Sequence, residues 1–238
     1  MENNGLLSQG VSIMTCTKRA GYIQHLLNNY SRQMWPQKEL IVILNNDQLS
    51  LNRYRRAAKR YKNVSIYQLP QGWSLGRCLN FAVRKSKYNY VAKFDDDDYY
   101  APRYISETMR AFRRAKAAVV GKLTIYTYLQ HRKLLLLRYP NKENRYVHRI
   151  GGGTIAFKKS VFQFAKFPDV SLGEDVGFQQ RCRANGCKIY STSRYNFVGV
   201  RRQNNSGHTW KVSDRQLMAN SRIVAKTTDY RPFAERPT

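Results

Sequence analysis

Four of the 15 acidic residues in this 238-residue chain stand side by side from Asp95 to Asp98, in a molecule whose formal charge is +27. Neighbouring like charges repel by roughly 1 kcal/mol per pair in water and by several-fold more at a partly buried site. Such a run is costly unless a cation occupies it. Tyr90 to Phe94 before it reads as a strand, and on an extended chain residues i and i+2 face the same way, which pairs Asp95 with Asp97. Hard carboxylate oxygens suit Mg²⁺ or Mn²⁺, ions that take one or two protein carboxylates and leave positions for substrate phosphates. The plain alternative is a solvated acidic turn. A second acidic pair, Glu174-Asp175, opens a helix expected to run to about Asn185, and acids there can simply complement the helix dipole.

The elements that must position these residues alternate along the first half of the chain. Val11 to Cys16 is a short β-branched strand, followed by a helix from about Ala20 to Gln33. A second strand, Leu40 to Leu44, ends in the polar tip Asn45-Asn46-Asp47, and a basic helix from about Leu49 to Tyr61 leads to a strand over Val64 to Gln68. A helix over Leu75 to Lys85 precedes the aspartate strand. Strands alternating with such helices predict βαβ units and a parallel sheet covered on both faces. Ligands of such sheets sit at the carboxyl ends of the strands, where Thr15, Asp47 and Asp95 all fall.

After Pro102 the pattern changes. A helix over Arg103 to Lys116 is followed by two strand-like runs, Lys122 to Gln130 and Lys133 to Tyr139, joined across His131-Arg132 as an antiparallel hairpin. Gly151-Gly152-Gly153-Thr154 introduces a short strand through Phe157, and Ser160 to Ala165 reads as a helical turn. Three glycines serve equally for a backbone that approaches a ligand and for a tight crossing of two chain segments. Lys211 to Thr238 reads as a helical stretch with a proline-containing tail.

A hydrophobic content of 42% suffices for a buried core. No run of about 18 apolar residues is present, and the start Met1-Glu2-Asn3-Asn4-Gly5 lacks the basic-then-apolar pattern of a signal peptide, so the expected compartment is the cytoplasm. Cys16, Cys78, Cys182 and Cys187 show no Cys-x-x-Cys spacing, which favours reduced thiols over a zinc site. The charge of +27 predicts attraction to polyanions: nucleic acid, an anionic membrane surface, or an acidic polymer or nucleotide-linked substrate. The basic stretches Arg53 to Arg60 and Arg110 to Lys116 look helical, with a solvated helix face as the alternative. No nucleic-acid-binding signature accompanies them.

Four landmarks in order resemble a family 2 glycosyltransferase of the GT-A fold. Val11-Ser12-Ile13-Met14-Thr15, with Thr17 and Arg19, resembles the opening nucleotide-pocket strand. The segment from Gly72 through Trp73 and Arg77 to Leu79-Asn80 is similar to the glycine-led segment ending in Leu-Asn, fifteen residues before the first aspartate of the metal motif. Asp95-Asp96-Asp97 matches Asp-x-Asp, and Glu174-Asp175 matches the Glu-Asp pair that supplies the base in inverting members. Cys16 departs from the usual aromatic residue, and Asn46 stands where the second strand commonly ends in an acid, leaving Asp47 as the contact to the base.

The resemblance covers about residues 9 to 210 and implies an α/β fold, a GT-A-type Rossmann-like sandwich with a mostly parallel central sheet and a smaller antiparallel acceptor-side portion. Residues 9–100 would form the nucleotide-sugar half, 101–210 the acceptor and catalytic half, and 211–238 a C-terminal helix and tail. The implied activity is inverting, metal-dependent transfer from a nucleotide-diphosphate sugar, UDP-linked as first choice, to a hydroxyl of a glycan, glycopolymer or other acceptor. Thr15, Thr17, Arg19, Asp47, Gly72, Arg77, Asn80, Asp95 and Asp96 would hold the donor, and Asp97, Asp98 and His208 the Mn²⁺ or Mg²⁺. Arg201 or Arg202 would assist the metal, Asp175 would be the base with Glu174 orienting the acceptor, and Trp73, Trp210 or Phe178 would stack on sugar rings. A polyanionic acceptor or peripheral contact with an anionic membrane would use the basic surface, and no specific nucleic acid partner is expected. The competing readings are a nucleotidyltransferase of similar fold, which would show a glycine-rich, lysine-containing phosphate loop near the amino terminus, and Thr15 to Gly21 is not one, and a basic nucleic-acid-binding module.

Overall fold

The computed structural model describes residues 9–202 and 212–235. The first half alternates as the sequence predicts: β1 (Val11–Thr17), α1 (Ile23–Ser31), β2 (Lys38–Leu44), α2 (Leu51–Ala58), β3 (Val64–Gln68), α3 (Leu75–Lys85) and β4 (Tyr90–Lys93). β3, β2, β1 and β4 lie side by side and parallel. Leu40, Val42 and Leu44 of β2 enter one hydrophobic cluster and Ile41 and Ile43 enter another on the opposite face. A strand buried on both faces has to be apolar at every position, which explains the unbroken Leu40 to Leu44 run. The helix starts are fixed locally: Ser50 and Ser74 accept from the backbone N–H groups of Arg53 and Arg77 as N-caps.

The second half is richer in short strands than its sequence suggests. In order it contains β5 (Tyr99–Tyr100), α4 (Tyr104–Ala115), β6 (Val119–Gly121), β7 (Ile125–Leu129), β8 (Leu134–Arg138), β9 (Arg145–Tyr146) and β10 (Ala156–Lys158). These are followed by α5 (Glu174–Ala184), β11 (Ile189–Ser191), β12 (Phe197–Arg201), α6 (Asp214–Met218), β13 (Ser221–Lys226) and α7 (Arg231–Ala234). β10 continues the parallel strands as an antiparallel neighbour of β4, and β6, β11 and β9 complete a mixed sheet of eight strands. The predicted β7–β8 hairpin is present, with Tyr126 opposite Leu137 and Tyr128 opposite Leu135. It is the middle of a second, five-stranded sheet in the order β13-β8-β7-β12-β5.

The sequence reading needs one correction here. The segment after 211 is not a helix and tail alone, because β13 pairs antiparallel with β8. The glycine run introduces a short strand as expected: Gly152–Thr154 is a single 3-10 turn, and β10 runs from Ala156 through Phe157 to Lys158. Among the described residues no helix is long and apolar enough to cross a membrane.

Candidate active site

β4 ends at Lys93, and the chain turns at once, so Asp95 to Asp98 lie in a turn and not on an extended strand. The alternation that would pair Asp95 with Asp97 does not apply. A turn instead brings residues i and i+3 together, and the carboxylates of Asp95 and Asp98 converge on Gly153. A Cβ added at Gly153 would lie 2.8 Å from Asp95 Oδ2 and 2.9 Å from Asp98 Oδ2.

Each aspartate has its own partners. Asp95 Oδ1 accepts from Lys93 Nζ at 2.5 Å. Asp96 is buried, takes the Thr17 hydroxyl at 2.5 Å and the Arg19 guanidinium, and is pushed above the usual carboxylate range by burial against the pull of Arg19. Asp97 Oδ2 accepts from Arg19 at 3.1 Å and from Arg202 at 2.9 Å. Both guanidiniums also lie over the Tyr22 ring, 4.3 and 4.9 Å from its centroid. Asp98 Oδ1 accepts from the Val200 N–H at 3.0 Å, while burial and the charges of Asp97 and Asp95 hold its carboxyl well above the usual range.

The glycine segment is a crossing point of chains. Its carbonyls are each held by a side chain from β4, β5 or α4: Gly152 by Lys93 at 3.3 Å, Gly153 by the Tyr100 hydroxyl at 2.6 Å, and Thr154 by the Tyr104 hydroxyl at 3.0 Å. The Tyr100 oxygen also accepts from the Asp95 N–H at 2.8 Å. From the other side, α5 delivers Glu174 and Asp175. A Cβ at Gly152 would lie 2.3 Å from Asp175 Oδ2, so only glycine admits that carboxylate. Gln179 locks α5 in place, accepting from the Ile150 N–H at 2.7 Å and donating to the Ile150 carbonyl at 3.2 Å. Burial pushes Glu174 up to about 7, with Lys93 opposing and Asp175 adding to the rise.

Of the other residues expected at the donor side, Asn80 and Arg77 are engaged within the fold. Asn80 holds the Phe167 backbone at both ends of its amide, at 2.8 and 3.0 Å, and so clamps α3 to the loop before α5. In the glycine-led segment the close approach is at Gly76, where a Cβ would meet the Pro168 carbonyl at 1.8 Å; at Gly72 a Cβ would meet nothing within 4 Å. Arg77 stacks on Trp73 at 3.9 Å. Asp47 Oδ1 accepts from the Gln71 N–H at 3.3 Å near the carboxyl end of β2. The Thr15 hydroxyl is buried at the end of β1 and meets no hydrogen-bond partner among the described residues. Phe178 is fully buried and stacked on Phe167 at 4.3 Å, so it belongs to the core and not to a sugar platform. His208 and Trp210 fall outside the described residues.

Lys93, Tyr100, Tyr104 and Gln179 were not singled out from the sequence. The signal for Lys93 was present, a lone charge in an otherwise apolar strand; the tyrosines differ in nothing local from ordinary core aromatics.

The donor set fits a divalent cation. Asp95 Oδ2 and Asp98 Oδ2 form a cradle that a Cβ at Gly153 would fill, and burial, with the charges of Asp97 and Asp95 adding, raises the Asp98 carboxyl. Among the described residues no group of three or more His, Cys, Asp or Glu side chains is placed to hold an ion. An ion in this cradle would rest on two protein carboxylates, with water and substrate phosphate left to complete its shell.

This α/β frame carries its acidic groups beyond the carboxyl end of β4 and at the start of α5, on the side where open parallel sheets take their ligands. The sequence profile of glycosyl transferase family 2 matches residues 12–169, and the chain belongs to that family. Among solved structures it is similar to S. aureus TarS 1-349 in complex with UDP-GlcNAc, with a TM-score of 0.66 at 16% identity over 88% of this chain and 63% of that one. It is also similar to the mannosyltransferase PcManGT from Pyrobaculum calidifontis in complex with GDP-Man and Mn²⁺, with a TM-score of 0.64 at 15% identity over 85% of this chain and 60% of that one. The chain thus spans less than two thirds of either structure's length. No curated protein sequence matches it.

Proposed function

We propose that the chain is an inverting glycosyltransferase that moves a sugar from a nucleotide diphosphate, UDP as first choice, to an acceptor hydroxyl. The observation that carries this reading is the meeting of two sets of carboxylates across Gly152 and Gly153, Asp95 and Asp98 on one side and Asp175 on the other. Similar structures hold UDP-GlcNAc or GDP-Man with Mn²⁺, which supports a nucleotide sugar as donor.

In this reading Thr15, Thr17, Arg19, Asp47 and Asp96 line the nucleotide side, and Asp95 with Asp98 would hold Mn²⁺ or Mg²⁺, with Asp97 beside them. Bound there, the ion supplies positive charge to the diphosphate. Arg19 and Arg202, which now grip Asp97, are fixed cations on the donor side that can meet the leaving phosphates. Asp175 accepts the proton of the acceptor hydroxyl as that oxygen bonds to the anomeric carbon and the bond from that carbon to the phosphate oxygen breaks. Attack from the face opposite the leaving group inverts the centre. Glu174, behind Asp175, sets the local charge.

The basic surface suits an anionic acceptor or an anionic membrane beside it. The test is release of nucleoside diphosphate from nucleotide sugars with and without Mn²⁺. Metal-dependent release that Asp98→Asn loses supports the reading, and equal release by both proteins contradicts it.

A further inference from the structure

We infer that Lys93 is a positioning residue, a built-in cation that ties the donor-side carboxylate of Asp95 to the glycine strap carrying the acceptor-side base, and so fixes the gap between them. The inference rests on the proposed roles of Asp95 and Asp175.

A lysine side chain only 5% exposed at the end of a central strand needs a reason, because a buried ammonium without partners is strongly unfavourable. The strand gives it no freedom to leave: its N–H bonds the Ile155 carbonyl at 2.8 Å, so β4 is held against the segment that follows the glycines. Its ammonium makes two contacts, to Asp95 Oδ1 at 2.5 Å and to the Gly152 carbonyl at 3.3 Å. The first leaves Asp95 Oδ2 facing Gly153 beside Asp98 Oδ2; the second holds the residue against which Asp175 rests. The Asp95 carboxylate beside it offsets part of the cost of burying the ammonium. Arg19 and Arg202 serve Asp96 and Asp97 on the donor side, whereas the contacts of Lys93 reach both halves of the site.

This arrangement has a consequence that simple structural support does not. Lys93 orients Asp95, yet its charge also opposes any divalent cation bound to that carboxylate. Removing it should loosen the geometry and strengthen metal binding together.

The test compares wild type, Lys93→Met and Lys93→Arg. Mn²⁺ binding is measured by calorimetry or electron paramagnetic resonance in the presence of UDP, turnover is followed with a UDP-sugar, and folding is checked by thermal unfolding. For Lys93→Met we expect Mn²⁺ affinity to rise about tenfold, kcat to fall about a hundredfold and donor KM to stay within about threefold. For Lys93→Arg, which keeps the charge and displaces the contacts, Mn²⁺ affinity should stay within about threefold of wild type while kcat falls at least about tenfold. Wild-type kcat in either variant overturns the proposal, as does weakened Mn²⁺ binding by a folded Lys93→Met protein. If Lys93→Met does not fold, the Lys93→Arg comparison decides. Wild-type protein that binds neither Mn²⁺ nor any nucleotide overturns the donor-site reading itself, a result separable from the others because it needs no variant.

Discussion

Gly152 faces Asp175 so closely that a Cβ there would sit 2.3 Å from the Asp175 carboxylate oxygen and 2.9 Å from its carboxyl carbon. The clash falls on the end of one side chain and not on backbone, so Gly152→Ala should fold and should turn the Asp175 carboxylate away. We expect kcat to fall about a hundredfold, the scale of a misplaced catalytic group, with nucleotide affinity unchanged. Steady-state kinetics beside calorimetric UDP binding checks this, and wild-type kcat in a folded Gly152→Ala protein would remove Gly152 from the account.

Asp175→Asn keeps the shape of the side chain and removes its ability to take a proton. Turnover should drop by at least about a hundredfold, a typical general-base effect, while nucleotide binding is spared. Intact turnover would mean that another group is the base.

Glu174 gives a signature in stability. Its folded pKa of about 7 lies above the ordinary value of 4.5, so the native state holds the proton more tightly than the unfolded chain does. Its contribution is full below about pH 4.5 and is lost as pH rises through 7, a loss of about 3 kcal/mol. Urea unfolding at pH 5 and pH 8.5 should show the wild type losing that much more stability than Glu174→Gln over the interval. Parallel pH dependence of the two proteins would place the Glu174 proton elsewhere.

Much of this architecture was legible in the sequence because its signals are local. The alternation of β1 to β4 with α1 to α3 follows from apolar runs such as Leu40 to Leu44, whose residues fill the clusters on both faces of the sheet. What escaped depended on contacts distant in sequence. β13 is half-exposed and mixed in polarity, and it becomes a strand by pairing with β8. Strand periodicity pairs Asp95 with Asp97, whereas the chain leaves the strand at Lys93 and the turn brings Asp95 to Asp98. Asn80 sits where a motif places a donor contact, yet its amide closes on Phe167, 87 residues away. The glycine run admits two readings, and its 3-10 turn among Asp95, Asp98 and Asp175 serves both, as a chain crossing and as open space beside the carboxylates.

The central claim is that Asp95 and Asp98 form the metal-dependent half of a nucleotide-sugar site. Its most direct test is isothermal titration of UDP, GDP, CDP and dTDP, each with and without Mn²⁺, into wild type and Asp98→Asn. The account predicts that one nucleotide, UDP first, binds wild type at least about tenfold more tightly with Mn²⁺, and that Asp98→Asn loses this gain while keeping the metal-free affinity. Nucleotide binding that ignores Mn²⁺, or an Asp98→Asn protein that keeps the full Mn²⁺ gain, would contradict it.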